Sequence, residues 1–424
     1  MNPEILNKAE ELIRHTNGQI CNHCLGRKFS DCVEGDGNED RGRKIREALN
    51  LEPYSRENKN ETPDSDNERC IICSDIFEDI NSRVLDLVNE KIELLKVEFD
   101  TFIVGCKLPK EIVQIDDEIS EKFDFDVEIL KKEVNREIGK LLESNLTQNV
   151  DFDREDLVVM VDLRRILREG RLIKVRLQIN PIFIEGRYRK LIRTIPQTKW
   201  PCRKCKGRGC EECNFTGKQY PESVEELLSQ TALKYTNGYE AKFHGAGRED
   251  IDVRMLGTGR PFVLEIKEPK IRKIDLKQIE DEANKTAEGK TEYIGLKFTE
   301  RKRKAEIKVS SPDTYKVYRA LVKCEDDIEE KDLEKLQSLH IIQQRTPIRV
   351  SHRRADKIRE KEVKSIETEF IDSKTFEMII KTEGGLYIKE LISSDEGRSN
   401  PSVSEVLGTQ AICAELDVIE VGIK

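Results

Sequence analysis

No stretch of the 424-residue sequence approaches the roughly 20 apolar residues that a bilayer-spanning helix needs. Nor does the N-terminus, MNPEILNKAEELIRHTNGQI, carry an apolar signal core; its mixed charge predicts an amphipathic helix instead. Aromatic residues make up only 6% of the chain and hydrophobic residues 37%, while another 37% are charged. That balance predicts heavily charged surfaces around two or three domains, each long enough to bury a core. A soluble, cytoplasmic protein that makes no membrane contact is the expectation. Also missing are a GK[ST] phosphate loop, a dinucleotide-binding fingerprint and an internal repeat, so no organic cofactor is called for.

Cysteine is the residue type that is present in excess. Of the twelve, eight form four Cys-x-x-Cys pairs, and Cys32, Cys106, Cys324 and Cys413 stand alone. In a reducing compartment such pairs favour metal over disulfides. Cys202, Cys205, Cys210 and Cys213 lie in PCRKCKGRGCEECNFTGK, where Gly207 and Gly209 let the chain reverse and bring both knuckles onto one ion. The wider set is Cys21 and Cys24 with Cys70 and Cys73, separated in part by residues 52–69, EPYSRENKNETPDSDNER, which read as a flexible loop. Cys32 and His23 are alternative ligands there. Four thiolates leave zinc no open position, so both sites are expected to be structural.

The net charge of -9 argues against nucleic acid as a partner, but the charge is segregated. Between Arg164 and Arg208 the basic residues include Arg165, Arg168, Arg171, Lys174, Arg176, Arg187, Arg189, Lys190 and Arg193, opposed only by Glu169 and Glu185. Such a stripe suits docking to phosphates, and equally forms the solvated face of a highly charged protein.

Along the chain, VEILKKEVNREIGKLLES places Val127, Leu130, Val134, Ile138 and Leu141 on one helical face. LVVMV (157–161) reads as a buried strand, and LIKVRLQI as a strand with Ile173, Val175, Leu177 and Ile179 on its inner face. A helix begins at Ser223, with Glu226 completing a capping box, and stops at Asn237-Gly238. Beyond Tyr239 the chain is rich in strand patterns, including YKVYRALVKC and FEMIIKTEGGLYIKEL. It reads as one α+β domain on an antiparallel or mixed sheet.

HGAGREDIDVRMLGTGRPF (244–262) is the most unusual stretch. Its glycines invite a phosphate-loop reading, but IDVRML and PFVLEI look like two strands joined by a GTGR turn, not a strand entering a helix. A glycine-shaped loop that presents Asp250 beside Arg248 fits better. Asp250 and Asp252 serve equally well as turn-formers that cap backbone groups.

GREDIDVRMLGTGRPF resembles the motif of the Pus-ten family of tRNA pseudouridine synthases. KVYRALV (316–322) and GGLYIKEL (384–391) resemble two further motifs of that family, as do RTPIRVSHRRADKIR (345–359), GRSNPS (397–402) and the paired N-terminal cysteines. The likeness is close over the second half of the chain and looser over the first. It implies Asp250 as the catalytic carboxylate, with Arg248 beside it as a substrate-binding residue. Tyr318 would lie against the target base, Tyr387 would contact substrate, Ile388 would line the pocket and Lys389 would face the aspartate. For the fold it implies α+β: a catalytic domain on a central antiparallel sheet (218–424), behind a zinc-binding region (1–75), a THUMP-like RNA-binding module (76–200) and the four-cysteine knuckle (201–217). Its substrate would be tRNA, modified in the TΨC arm at uridines conventionally numbered 54 and 55. Structural zinc would be its only cofactor, and no obligate protein partner is inferred.

The chemistry agrees with these residues. Turning uridine into pseudouridine breaks a C–N bond and forms a C–C bond without redox change, so one carboxylate at the sugar, as nucleophile or base, suffices. A uridine in a folded arm must first be flipped out of its stack. Two rivals stand beside this reading. One is another THUMP-bearing tRNA-modifying enzyme, which needs a cofactor site that the sequence lacks. The other is a zinc-containing RNA-binding protein without activity, which leaves the GRED segment unused.

Overall fold

The computed structural model describes residues 1–52, 54, 69–308, 314–352 and 354–422. The loop expected over 52–69 lies outside the described residues except for Glu52, Tyr54 and Arg69, and so does Arg353. The chain divides into two compact units, Met1–Asn180 and Pro181–Lys424.

In the first unit α1 (Pro3–His15) starts behind Asn2, whose side chain accepts the Glu4 N–H at 2.9 Å. Then come α2 (Asn22–Lys28), α3 (Asn38–Ala48), α4 (Ile76–Leu95), β1 (Thr101–Lys107), α5 (Lys110–Lys122), α6 (Leu130–Asn145), β2 (Asn149–Val150), β3 (Leu157–Arg165) and β4 (Leu172–Ile179). The four strands form one sheet in the order β2-β1-β3-β4. Alternation sets its inner face: Leu157, Val159, Val161 and Leu163 on β3 are buried, as are Ile173, Val175 and Ile179 on β4. Helix α6 begins at Leu130, so Val127 precedes it, and its buried face ends on Leu142 instead of Leu141. One apolar cluster runs through the cysteine-bearing segments, the helices and the sheet. A buried ion network reinforces it: Arg27 on α2 reaches Asp116 on α5 at 2.8 Å and Glu133 on α6 at 2.8 Å.

The second unit begins with β5 (Ile182–Lys190), which belongs to its large sheet and not to the RNA-binding module that the sequence reading carried to residue 200. It continues with α7 (Val224–Thr236), β6 (Glu240–Gly245), β7 (Arg254–Lys267), α8 (Leu276–Thr286), β8 (Thr291–Thr299), α9 (Arg303–Glu306) and β9 (Tyr315–Cys324). Last come β10 (Ile341–Arg345), β11 (Ile358–Asp372), β12 (Thr375–Glu383), α10 (Ile388–Ser393), β13 (Ser399–Asn400), α11 (Val403–Leu407) and β14 (Ala411–Val421). Helix α7 has the expected ends: the Ser223 hydroxyl accepts the Glu226 N–H, and Asn237 closes it in the left-handed region. The sheet has ten strands in the order β13-β10-β11-β12-β9-β14-β7-β5-β8, with β6 paired to β7. Its pairings are antiparallel except for β14 against β7, so the sheet is mixed rather than purely antiparallel.

Two local expectations fail. The GTGR segment is no turn between strands. It lies within the single strand β7, where two steps along β5, from Tyr188 to Lys190, oppose five along β7, from Arg260 to Met255. The surplus residues bulge out. Gly257 sits there at φ +56, and a Cβ on it would stand 1.8 Å from the Ile419 carbonyl oxygen. Second, GGLYIKEL does not continue the strand: β12 ends at Glu383 and α10 starts at Ile388, so Lys389 is a helix residue.

Candidate active site and metal clusters

The segment before β7 forms a loop whose backbone is held from below by buried side chains. Arg260 Nη1 donates to the Ala246 carbonyl at 2.9 Å, and Gln197 Nε2 to that of Gly247 at 3.0 Å. Lys190, fully buried, donates to the carbonyls of Asp250 at 3.0 Å and Ile251 at 3.1 Å. Arg193 takes the Asp252 carbonyl at 3.1 Å. Glu249 turns inward as the loop's anchor. Its carboxylate accepts Arg260 Nε at 2.9 Å and the Tyr188 hydroxyl at 2.8 Å, with no exposed surface. Burial brings the Lys190 ammonium down to about 8, Glu249 opposing that fall.

Asp250 is thereby turned outward, its side chain about a third exposed. Its Oδ2 lies 2.9 Å from Arg349 Nη1 and 3.9 Å from Lys389 Nζ. Arg349 also pairs with the buried Glu390 of α10 and stands 5.8 Å over the Tyr387 ring. Against the cost of burial, Glu390 and then Asp250 hold its guanidinium above its ordinary value. Lys389 bonds mainly to Asp252, at 2.7 and 2.9 Å, so the expected pairing with Asp250 is the longer of its two contacts. Residues 251–252 form a turn and β7 starts only at Arg254, so neither aspartate lies on the strand expected over IDVRML. They converge because one lysine reaches both.

Tyr318 is buried on β9, between Ile380 of β12 and Val418 of β14, and burial pushes its hydroxyl up to about 12. Tyr387 caps α10 and exchanges two hydrogen bonds with the Gln344 side chain, at 2.8 and 3.0 Å. Ile388 is buried in the core behind it. Arg248 is exposed and stacks its guanidinium 4.9 Å over the Trp200 ring. Sequence reading missed Arg349, Glu249, Lys190 and Arg260. By sequence Lys190 belongs to the basic stripe, yet it is in phase with Tyr188, and a period-two reading of β5 puts both inside. Arg187 and Arg189 are also occupied, donating to the bulge carbonyls of Thr258, Gly259 and Gly257.

The family model described as "Pus10, C-terminal" matches residues 183–422, more than half of the chain, and "Pus10 THUMP domain, archaeal" matches residues 86–162. The chain belongs to the Pus10 family. It is 52% identical over 99% of both chains to the tRNA pseudouridine synthase Pus10 of Methanothermobacter marburgensis. It is 46% identical to that of Methanocaldococcus jannaschii, covering 95% of this chain and 92% of that one. Among solved structures, a Cbf5-Nop10-Gar1 complex aligns over 47% of this chain and 45% of that chain at 20% identity, with a TM-score of 0.30, too low to decide anything further. As a Pus10 tRNA pseudouridine synthase the protein is an isomerase, built on an α+β fold with a THUMP domain.

Two more features of this Pus10 member bear on function. Cys21, Cys24, Cys70 and Cys73 converge, as do Cys202, Cys205, Cys210 and Cys213, each set with its sulfurs within 4.8 Å. Separations of 3.5 Å in the first set and 3.7 to 3.9 Å in the second match the edge of a zinc–thiolate tetrahedron, about 3.8 Å for bonds of about 2.3 Å. Both donor sets fit zinc. His23 is drawn away to Glu133 and Glu39, and Cys32 points to the Phe29 carbonyl, so neither competes. In the THUMP-bearing unit a cavity of about 280 Å³ is lined by Asp162, Arg164, Arg165, Arg168, Leu172 and Lys174. Arg164 pairs with Asp162 there, whereas the side chains of Arg165, Arg168 and Lys174 have no partner among the described residues. No described helix is long and apolar enough to cross a membrane.

Proposed function

We propose that the protein isomerises uridine in the TΨC arm of tRNA, at position 55 and also 54, with Asp250 as its one catalytic carboxylate. The observation that carries this reading is the loop itself. It spends five carbonyl contacts and a buried carboxylate on fixing its backbone, and turns Asp250 out toward Arg349 and Lys389. A carboxylate held this way is pre-oriented toward the sugar of a flipped nucleotide. Tyr318 and Tyr387 receive the base and nucleotide, Ile388 backs the pocket, and Arg248 lies at the loop's outer side. Structural zinc in the two cysteine sets stabilises the N-terminal region and the knuckle, and the cavity around Arg165, Arg168 and Lys174 takes tRNA phosphates, which position the RNA without reading its bases.

The test is to map pseudouridine on unmodified tRNA incubated with protein and no added cofactor. Asp250→Asn keeps the size of the side chain but cannot act as nucleophile or base. It should abolish conversion while tRNA affinity stays within a few-fold, because phosphates carry most of the binding. Asp252→Asn should keep substantial activity. Normal turnover by Asp250→Asn, or loss in Asp252→Asn alone, refutes the assignment. Conversion at 55 but not 54 narrows the site without moving it.

A further inference from the structure

The other cations grouped around the Asp250 loop have acceptors. Lys190 has backbone carbonyls, Arg260 has Glu249, Arg349 has Asp250 and Glu390, and Lys389 has Asp252. Lys316 differs. It is partly buried at the start of β9, and its ammonium has neither a hydrogen-bond acceptor nor an ion-pair partner among the described residues. It stands against the loop: a Cβ on Gly247, an exposed residue three positions before Asp250, would lie 3.3 Å from Lys316 Nζ and 3.0 Å from Arg260 Nη1. Two residues along β9 on the same face is Tyr318. A partly desolvated cation with nothing to donate to costs stability unless an acceptor arrives.

We infer that Lys316 is a catalytic residue that donates to a carbonyl oxygen of the target uracil. This rests on the reading of Asp250 and Tyr318 given above. When the C1′–N1 bond breaks, both electrons go to N1, and the charge spreads over N1, O2 and O4. The ammonium stabilises that charge where it develops. At the sugar, Asp250 either bonds to C1′ or takes the C2′ proton, and it is released or returns the proton later. After the base turns, C5 supplies the pair for the C1′–C5 bond and loses its proton, and N1 gains one. The sum is an isomerisation with no oxidant or reductant.

The groups that face the ammonium are Arg260 and Glu249 from the β7 side and Tyr318 on its own strand, with Thr382 of β12 and Val421 of β14 across from it. Burial first, and Arg260 second, bring it down to about 8. Lys190 titrates in the same range, so the variants and not the wild-type profile carry the assignment.

The experiment is single-turnover conversion of unmodified tRNA by full-length Lys316→Met and Lys316→Arg, with Asp250→Asn alongside and circular dichroism on each. Lys316→Met should lose about a hundredfold in rate and leave tRNA affinity and salt dependence unchanged. Lys316→Arg should regain much of the rate, with the loss of activity at high pH moved upward. With 5-fluorouridine at the target, whose base leaves more readily, the gap between wild type and Lys316→Met in glycosidic cleavage should narrow. A Lys316→Met rate within twofold of wild type overturns the inference, as does a defect confined to affinity and salt dependence, which marks a phosphate contact. A misfolded Lys316→Met leaves the decision to Lys316→Arg, which overturns the inference if its pH profile is that of wild type. If Asp250→Asn stays active, the reading of the loop fails and this inference with it. If Asp250→Asn is dead and Lys316→Met normal, only this inference falls.

Discussion

Glu249 offers a sharp test of how the site is held. Its carboxylate has no exposed surface and sits between Arg260, itself buried, and the Tyr188 hydroxyl. Glu249→Ala leaves a buried guanidinium without its counter-ion, and stranding one partner of a buried pair costs about 3–5 kcal/mol. For a unit the size of Pro181–Lys424, each kcal/mol moves the melting point by about 2–4 °C, so the loss should be roughly 6–20 °C. Thermal unfolding followed by circular dichroism reads it directly. The double variant Glu249→Leu/Arg260→Leu removes both charges and should regain part of that stability. It should not regain activity, because the Ala246 carbonyl loses its donor and the loop its anchor. A melting point within about 2 °C of wild type for Glu249→Ala, or full activity in the double variant, would refute the idea that this pair positions Asp250.

Three further outcomes are expected. Replacing Cys202 and Cys205 by serine should remove about one of two zinc ions per chain and lower stability, because an incomplete thiolate set binds weakly; unchanged metal content refutes it. Neutralising Arg165, Arg168 and Lys174 together should weaken tRNA binding and lower its salt slope by about one unit per lost phosphate contact, with the saturated single-turnover rate unchanged; an unchanged slope marks the cavity as a solvated face. For Lys190, between pH 8 and 10.5 the unfolded chain binds the proton and the folded chain does not. Stability of wild type relative to Lys190→Met should therefore be level below pH 8 and rise above it. A difference that stays level to pH 10 contradicts a depressed lysine.

What could be read beforehand was local. The Cys-x-x-Cys spacing located both thiolate sets, and Ser223 with Glu226 located the start of α7, because each motif is complete within a few residues. The glycines of GTGR misled because glycine marks turns and bulges alike; only pairing with β5 and the approach of Ile419 tell which. GGLYIKEL looked like strand because the run is β-branched and aromatic, yet α10 packs against β14 and the helix wins. Arg349, about a hundred residues from Asp250 in sequence, is joined to it only by the fold. Glu249 stands inside GRED, but an acid in a glycine-rich loop gives no sign in sequence of facing inward.

The position of β14 has a consequence for how the enzyme is made. Residues 411–421 follow every other described strand in the sequence, yet they lie in the middle of the sheet, between β9 and β7. Until they are in place, the block from β13 to β9 and the block of β7, β5 and β8 have no described strand joining them, and β7 lacks its β14-side partners at Arg254 and Met255, just beyond the Asp250 loop. The contact from Arg254 to Asp417 closes a long loop, which makes it a slow step in assembly. Before β14 pairs, the two half-sheets have open edges, which are exposed to mispairing.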